Sequence, residues 1–313
     1  MPKIFSIHGE DVALGEDRQI HLNIARLPTY TNIDLPVRII RAKNDGPVVL
    51  LSGGLHGDEI NGIEIVRRLI SNDHLKLTSG TIIAVPLMNV YGFIQNVRGV
   101  PDGKDINRSF PGNKHGSLAK LVAYNIMNEI IPKVDYGVDF HTGGASRANY
   151  PQIRCVFDIP KNMELARAFA PPVILNSNLV ASSFRKAAHN KGKHILVYET
   201  GESLRMDEAG IETAIAGTKR LLKHLGMRDT APEAGTIDEY NKSKWLRAKN
   251  AGIFNTSIQL GDKVKKRQIV GRITDPFGNE RFNLKAPDSG QVIGLNNSPV
   301  VHKGDAILHI ATN

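Results

Sequence analysis

The stretch "GPVVLLSGGLHGDEINGIEIVRRLISN", residues 46 to 72, restricts the fold more than any other part of the chain. Its first half is a continuous apolar run closed by glycines, which is typical of a strand buried on both faces. Its second half carries apolar residues at helical spacing. The stretch therefore predicts a strand-loop-helix unit of an α/β layer fold, with polar residues in the loop at the end of the strand.

The same alternation of apolar runs and helical stretches continues along the chain. Further runs occur in "GTIIAVPLMN", "YGVDFHTG", "PPVILNSN" and "HILVYETG", and the longest helical patterns are "SLAKLVAYNIMNEIIPKV" and "DEAGIETAIAGTKRLLKHLG". Upstream, "QIHLNIAR" and "LPVRIIRA" alternate with period two, which predicts two strands joined by a turn rich in Pro, Thr and Asn. We expect a mixed sheet with helices on both faces, in a domain of residues 1–230 that begins with β-strands.

The composition and the pattern of the sequence change after about residue 230. "MRDTAPEAGTID" has the composition of a linker, and short strand and turn patterns follow it. A set of residues in this tail recurs 37 positions later, Val264, Lys266 and Ile273 returning as Val301, Lys303 and Ile310. Residues 241–313 are therefore predicted to form a small all-β sandwich with two pseudo-symmetric halves.

Composition limits the class of protein and the kind of metal site. Cys155 is the single cysteine, so an intrachain disulfide is excluded and a zinc site must use His and carboxylate ligands. The amino terminus lacks a basic head with a long apolar stretch, and no window approaches the roughly 18 apolar residues of a membrane helix. We expect a soluble, cytoplasmic protein without membrane contact.

Positive charge is concentrated in the tail. Between Lys242 and Lys285 there are eleven Lys and Arg against three Asp and Glu, a net charge of +8 out of +9 for the whole chain. Such a surface can attract anionic partners. A nucleic-acid partner is not expected, because no pattern of interleaved aromatic residues accompanies the charge.

Three residues have the types and positions of a zinc ligand set. His56 and Glu59 have a spacing that lets one loop supply two ligands, and His141 follows an apolar run that ends at the same sheet edge. A catalytic zinc takes three protein ligands and keeps one position open. Taken singly, each residue has an ordinary structural reading, Glu59 as a first-turn helix acid for example. Their coincidence with further polar loop residues favours the metal.

Those further residues are Arg98, Asn107 and Arg108, in a Gly/Pro-rich loop, and Glu199, at the end of another apolar run. A guanidinium group binds carboxylates bidentately and stabilises oxyanions. Each arginine taken alone is also compatible with a surface position, and Glu199 with a solvated strand end.

Four ordered motifs, "GGLHGDE", "DINRSF", "DFHTGG" and "VYETGE", resemble the succinylglutamate desuccinylase/aspartoacylase family of the zinc carboxypeptidase-like fold over roughly residues 45 to 225. The resemblance implies one zinc ion per chain on His56, Glu59 and His141, and Glu199 as general base and acid. It implies that Arg98 polarises the scissile carbonyl and that Asn107 with Arg108 holds a substrate carboxylate. The implied activity is hydrolysis of the amide bond of a small, carboxylate-bearing N-acyl amino acid.

The tail resembles a biotinyl/lipoyl-type β-sandwich through "GDKVKKRQIVGRI" and "KAPDSGQVIG". In carriers of that type an exposed hairpin holds a modified lysine. Here Asn279 falls at or near that position, so a covalent cofactor is not expected.

Two alternatives remain open from the sequence. The same residues would serve a metallocarboxypeptidase, in which Arg108 holds a peptide C-terminus, and the fold would also serve a non-catalytic binding protein. The acyl group, the amine, the formation of a homo-oligomer and the effect of the tail on access to the site are not determined by the sequence.

Overall fold

The computed structural model describes residues 5–26, 29–72 and 74–313. Its strands are β1 (Phe5–Ile7), β2 (Glu10–Val12), β3 (Asp17–Arg26), β4 (Asn32–Arg41), β5 (Val48–Ser52), β6 (Thr81–Val85), β7 (Tyr136–Gly143), β8 (Arg147–Cys155), β9 (Val173–Asn176), β10 (His194–Glu202), β11 (Asp238–Tyr240), β12 (Lys242–Arg247), β13 (Gly252–Asn255), β14 (Lys263–Val264), β15 (Ile269–Thr274), β16 (Arg281–Lys285), β17 (Gly290–Asn296), β18 (Val300–Val301) and β19 (Ala306–Thr312). Its α-helices are α1 (Ile60–Ser71), α2 (Val90–Gln95), α3 (Leu118–Asn125), α4 (Pro160–Phe169), α5 (Phe184–His189) and α6 (Glu208–His224).

A long mixed sheet organises these elements, with the strand order β12-β19-β17-β8-β10-β7-β5-β6-β4-β3. The four strands β10, β7, β5 and β6 are mutually parallel, whereas β8 and β4 flank them in antiparallel pairing. Because parallel strands end at one edge, the chain segments at the ends of β5, β7 and β10 meet there. The predicted mixed α/β fold is confirmed.

The sheet is covered on both faces. In β5, Val49 and Leu51 belong to the core shared with α1, α4 and α6, while Leu50 belongs to the opposite core with Ile126 and Ile130. All five side chains are fully buried. Each such burial stabilises the fold by roughly 2 kcal/mol, which explains why β5 is apolar on both sides.

The predicted N-terminal hairpin is present. Strands β3 and β4 pair antiparallel, with Ile20 opposite Val37 and Leu22 opposite Leu35. Their alternate residues are buried, as the period-two pattern predicts. Residues 27 and 28 of the predicted turn lie outside the described residues.

The C-terminal tail forms a β-sandwich around its own apolar core. One sheet has the order β16-β15-β13-β18, and the other consists of β12, β19, β17 and β14, which extend the long sheet. The repeated residues Val264, Ile273, Val301 and Ile310 are all buried in this core. Strand β14 lies in the long sheet and β15 in the short one, while β18 lies in the short sheet and β19 in the long one. The two copies of the sequence repeat thus contribute their strands to the two sheets in opposite order.

The tail joins the rest of the molecule through backbone pairing. Strand β17 pairs antiparallel with β8, so that Gly294 lies opposite Asn149 and Leu295 opposite Ala148. Residues 225–237, where the linker was predicted, form neither helix nor strand. The division into units 1–230 and 241–313 stays a prediction.

Within the described ranges, no helix is long and apolar enough to cross a membrane.

Candidate active site

The loop between β5 and α1 places His56 and Glu59 side by side in the interior, each 2% exposed. Two glycines allow the tight course of this loop. Gly54 has a φ of +59°, in the left-handed region, and a Cβ at Gly57 would clash with the carbonyl carbon of Gly92. The glycines around His56 thus permit close backbone packing.

His141 on β7 completes a cluster of three buried side chains, each of which can supply a ligand atom to a metal ion. Nδ1 of His56 lies 2.7 Å from Oε1 of Glu59, and Nδ1 of His141 lies 2.9 Å from Oε2 of the same carboxylate. One donor atom from each residue can be chosen so that all lie within 4.8 Å of one another. The three predicted ligands are therefore brought together in a geometry that could hold a metal ion.

Asp139, which sequence reasoning missed, orients His141. Its Oδ2 lies 2.7 Å from Nε2 of His141, and its Oδ1 accepts a hydrogen bond of 2.7 Å from the hydroxyl of Ser52. This pairing leaves Nδ1 of His141 facing Glu59, as in metal sites where a carboxylate fixes the second nitrogen of a ligand. The sequence spacing could have indicated this role, because Asp139 and His141 lie two residues apart on one strand and therefore share a face.

The cluster has strongly coupled charges. Burial would raise the pKa of Glu59, but the imidazoles of His56 and His141 outweigh it and hold the pKa well below its usual range. Burial would likewise lower the pKa of His141, but Asp139 and Glu59 raise it well above its usual value. The carboxylates thus stabilise positive charge on the buried imidazoles, and they would stabilise a divalent cation in the same way.

One polar atom in the cluster lacks a good partner. Nε2 of His56 is buried and makes no hydrogen bond among the described residues. It lies 3.3 Å from Oδ1 of Asp105, a separation that gives charge attraction without good hydrogen-bond geometry. Together with the three-donor cluster, this observation fits residues arranged around an ion.

Arg98 lies directly beside the donors. Its Nη1 donates to Oε1 of Glu59 at 3.1 Å and its Nη2 donates to Oδ2 of Asp105 at 3.0 Å. Burial would raise the pKa of Asp105, but His56 and Arg98 hold it below the usual range. Asp105 therefore stays anionic and anchors the guanidinium group next to the candidate metal position.

Asn107 and Arg108 lie on the same loop but make different contacts. Oδ1 of Asn107 accepts a hydrogen bond of 2.9 Å from the backbone N–H of Phe184, which fixes the loop against α5. Nη1 of Arg108 donates to the carbonyl of Asn107 at 2.7 Å. Among the described residues, Arg108 has no acidic partner within ion-pair distance. Its charge is therefore available to a ligand.

Glu199 lies on β10, next to the strand that carries His141. The two residues are register partners in the parallel pairing of β10 with β7. Nδ2 of Asn149 donates to Oε2 of Glu199 at 2.8 Å, and Nη1 of Arg154 lies 3.4 Å from Oε1. The carboxylate is thus oriented from β8 and lies at the same sheet edge as the donors.

One cavity of about 590 Å³ is lined by all seven predicted site residues. Arg147, Arg154 and Arg185 also line it. Burial lowers the pKa of Arg185 to about 10, and its guanidinium donates to three backbone carbonyls, including that of Ser177 at 3.0 Å. Arg185 therefore supports the wall.

Comparison with known structures shows the same fold over nearly the whole chain. The ectoine utilization protein EutE of Ruegeria pomeroyi, solved with bound product, has a TM-score of 0.84 at 22% identity and covers 99% of this chain and 98% of its own. An aspartoacylase family protein of Mesorhizobium loti has a TM-score of 0.82 at 26% identity, covering 100% of this chain and 99% of its own.

Sequence comparison gives the family. The N-alpha-acetyl-L-2,4-diaminobutyric acid deacetylase of Halomonas elongata is 30% identical over 299 residues, which cover 88% of this chain and 85% of that protein. Residues 45–225 match the profile of the succinylglutamate desuccinylase/aspartoacylase catalytic domain. The motifs around His56, His141 and Glu199 lie within this match, and the chain belongs to the succinylglutamate desuccinylase/aspartoacylase family.

Proposed function

We propose that this protein is a zinc-dependent amidohydrolase that removes the acyl group from small N-acyl amino acids. The observation that carries the proposal is the cluster of His56, Glu59 and His141 in one cavity with Glu199 on the neighbouring strand. Membership of the family and the deacetylase of Halomonas elongata support deacylation.

The donor set suits a single zinc ion, held by His56, Glu59 and His141, because imidazole and carboxylate ligands without thiolate are common at catalytic zinc sites. When bound there, zinc supplies a Lewis acid that activates water and polarises a carbonyl group. The pairing of His141 with Asp139 would fix the ligand nitrogen before any ion arrives.

The protein side chains would share the remaining chemistry. Glu199 would take the proton of the attacking water and return it to the departing amine, because its carboxylate lies beside His141 and is oriented by Asn149. Arg98 would stabilise the oxyanion of the tetrahedral species, a role worth roughly 3 kcal/mol. Asn107 and Arg108 would hold the substrate carboxylate, which converts binding into orientation.

The size of the cavity favours a small substrate. A volume of about 590 Å³ lies within the range of small-molecule sites. Its lining includes Arg108, which has no acidic partner among the described residues and would compensate the charge of a substrate carboxylate. A polypeptide chain would have to extend beyond this volume.

The decisive experiment is a mass-spectrometric screen for amine release by zinc-loaded protein. The panel contains N-acetyl and N-succinyl amino acids and short peptides, tested with the wild type, Glu199→Gln and the control Glu202→Gln, which lies on the same strand. We expect the wild type and the control to cleave an N-acyl amino acid, and Glu199→Gln to retain zinc by elemental analysis but lose hydrolysis.

Other outcomes would replace the proposal. Stepwise trimming of peptides from the carboxyl end would show a carboxypeptidase. A fully active, zinc-loaded Glu199→Gln variant would remove the assigned base. Silence of the wild type on both substrate sets would favour a binding protein on this fold.

A further inference from the structure

The C-terminal sandwich reaches into the candidate active site through Trp245. This residue is the single tryptophan of the chain and lies on β12. It lines the same cavity as His141 and Glu199. Among the described residues, it is the one lining residue that follows position 199. The cavity wall is therefore shared between the catalytic sheet and the tail.

The indole of Trp245 is held in a fixed position. Its ring stacks on His309 of β19, with centroids 4.5 Å apart and planes 7° apart, and the two residues are register partners. Gly294 packs near the same ring, since a Cβ there would lie 3.4 Å from the indole, at van der Waals contact. Gly294 in turn lies opposite Asn149, the residue that donates to Glu199.

Arg147 packs on this indole and presents its charge to the cavity. Its guanidinium carbon lies 5.8 Å from the ring centroid of Trp245, within cation–π range. Its Nε donates to the carbonyl of Gly144 at 3.1 Å. In the part of the chain that the structure describes, Arg147 has no acidic partner, whereas Arg98 and Arg154 are paired with carboxylates.

We infer that Arg147 binds an anionic group of the substrate and that Trp245 holds the guanidinium in position for it. This inference rests on the proposed function and deepens it, because Arg108 is assigned to the amino acid carboxylate on a separate loop. The physical basis is a half-buried guanidinium group at the cavity wall whose fork is left without a carboxylate. Arg147 is thus a specificity-determining residue, and the C-terminal sandwich takes part in substrate recognition.

Tryptophan fluorescence tests the binding step without catalysis. Emission of Trp245 in the zinc-loaded protein is followed while L-aspartate, L-glutamate, L-2,4-diaminobutyrate or L-alanine is added. We expect a saturable change with an acidic amino acid, because a carboxylate neutralises the cation on the indole. Its Kd should rise about tenfold or more in Arg147→Gln. The control Arg247→Gln, on the same strand as Trp245 and outside this cavity, should leave the Kd unchanged.

Hydrolysis gives a second readout. The ratio of kcat/KM for N-acetyl-L-aspartate over N-acetyl-L-alanine is independent of the amount of folded enzyme. We expect it to fall about tenfold or more in Arg147→Gln, to fall in Trp245→Leu and to recover in Trp245→Phe. Equal loss for both substrates, or tighter binding of diaminobutyrate than of aspartate by the wild type, would overturn the inference. Hydrolysis with a flat fluorescence titration contradicts this inference alone, whereas a clean titration without hydrolysis contradicts the proposed function alone.

Discussion

Asp139 fixes the orientation of His141, one of the three candidate zinc ligands. Because it holds Nε2 of His141 at 2.7 Å, removing its charge should lower zinc affinity without removing a ligand. For Asp139→Asn we expect zinc to bind about 10-fold to 100-fold more weakly, measured by competition with a chelator of known affinity. The control Asp158→Asn replaces an exposed aspartate. Equal affinity in both variants would show that Asp139 does not support a zinc ligand.

Arg108 is the residue whose charge is assigned to the substrate carboxylate. In Arg108→Ala we expect the KM of a free N-acyl amino acid to rise about tenfold or more, because a charge-assisted hydrogen bond is lost. The KM of the corresponding methyl ester should change little. Arg205→Ala, a change at a side chain that is 76% exposed, serves as the control. A parallel rise for acid and ester would refute the assignment.

Between elements, an ion network joins α1 to α6. Nε of Arg68 donates to Oε1 of Glu64 at 2.6 Å, and its Nη2 donates to Oε2 of Glu208 at 2.8 Å. The hydrogen bond from Arg67, opposed by burial and aided by Arg68, lowers the pKa of Glu64 to about 2. The folded pKa is below the unfolded value, so this stabilisation is present above about pH 4.5 and is lost as pH falls toward 2.

We therefore expect Glu64→Gln to reduce the free energy of unfolding by about 1 to 2 kcal/mol at pH 7, after allowance for solvent screening. The difference from the wild type should shrink toward zero near pH 2. Urea unfolding at several pH values measures it, with Glu233→Gln as an exposed control. A difference that is the same at every pH would show that the charge of Glu64 contributes nothing.

Helices and strands could be predicted where the sequence pattern that indicates them is local. The apolar runs before His141 and Glu199 predict strand ends, and parallel pairing brings those ends together. The predicted long helix after residue 117 instead divides into α3, a π-helical turn at Ile126–Ile130 and a 3-10 turn at Ile131–Lys133. Pro132 lacks the N–H that a continuing helix needs. The pairing of β17 with β8 depends on distant segments, so local patterns could not place Trp245 in the cavity.

At the scale of the whole molecule, the junction between the tail and the catalytic sheet contains a buried titratable group. His309 is 7% exposed, stacks on Trp245 and has an unpartnered Nδ1 among the described residues. Burial, helped by the charge of Arg154, lowers its pKa to about 3. The neutral ring is therefore the form that the folded junction accommodates, and a proton on it would act against both the burial and the stack.

Protonation of His309 differs between the folded and the unfolded chain, and this difference makes stability depend on pH. Below about pH 6.5 the unfolded chain binds a proton at His309 that the folded chain does not, so this residue makes stability fall as pH falls toward 3. At pH 5 the loss is about 2 kcal/mol relative to pH 7. In His309→Phe, which keeps the stack on Trp245 without the titrating group, we expect that part of the loss to vanish. Chemical unfolding of both proteins at pH 7 and pH 5 measures the effect, and the same loss in both would place the sensitivity elsewhere.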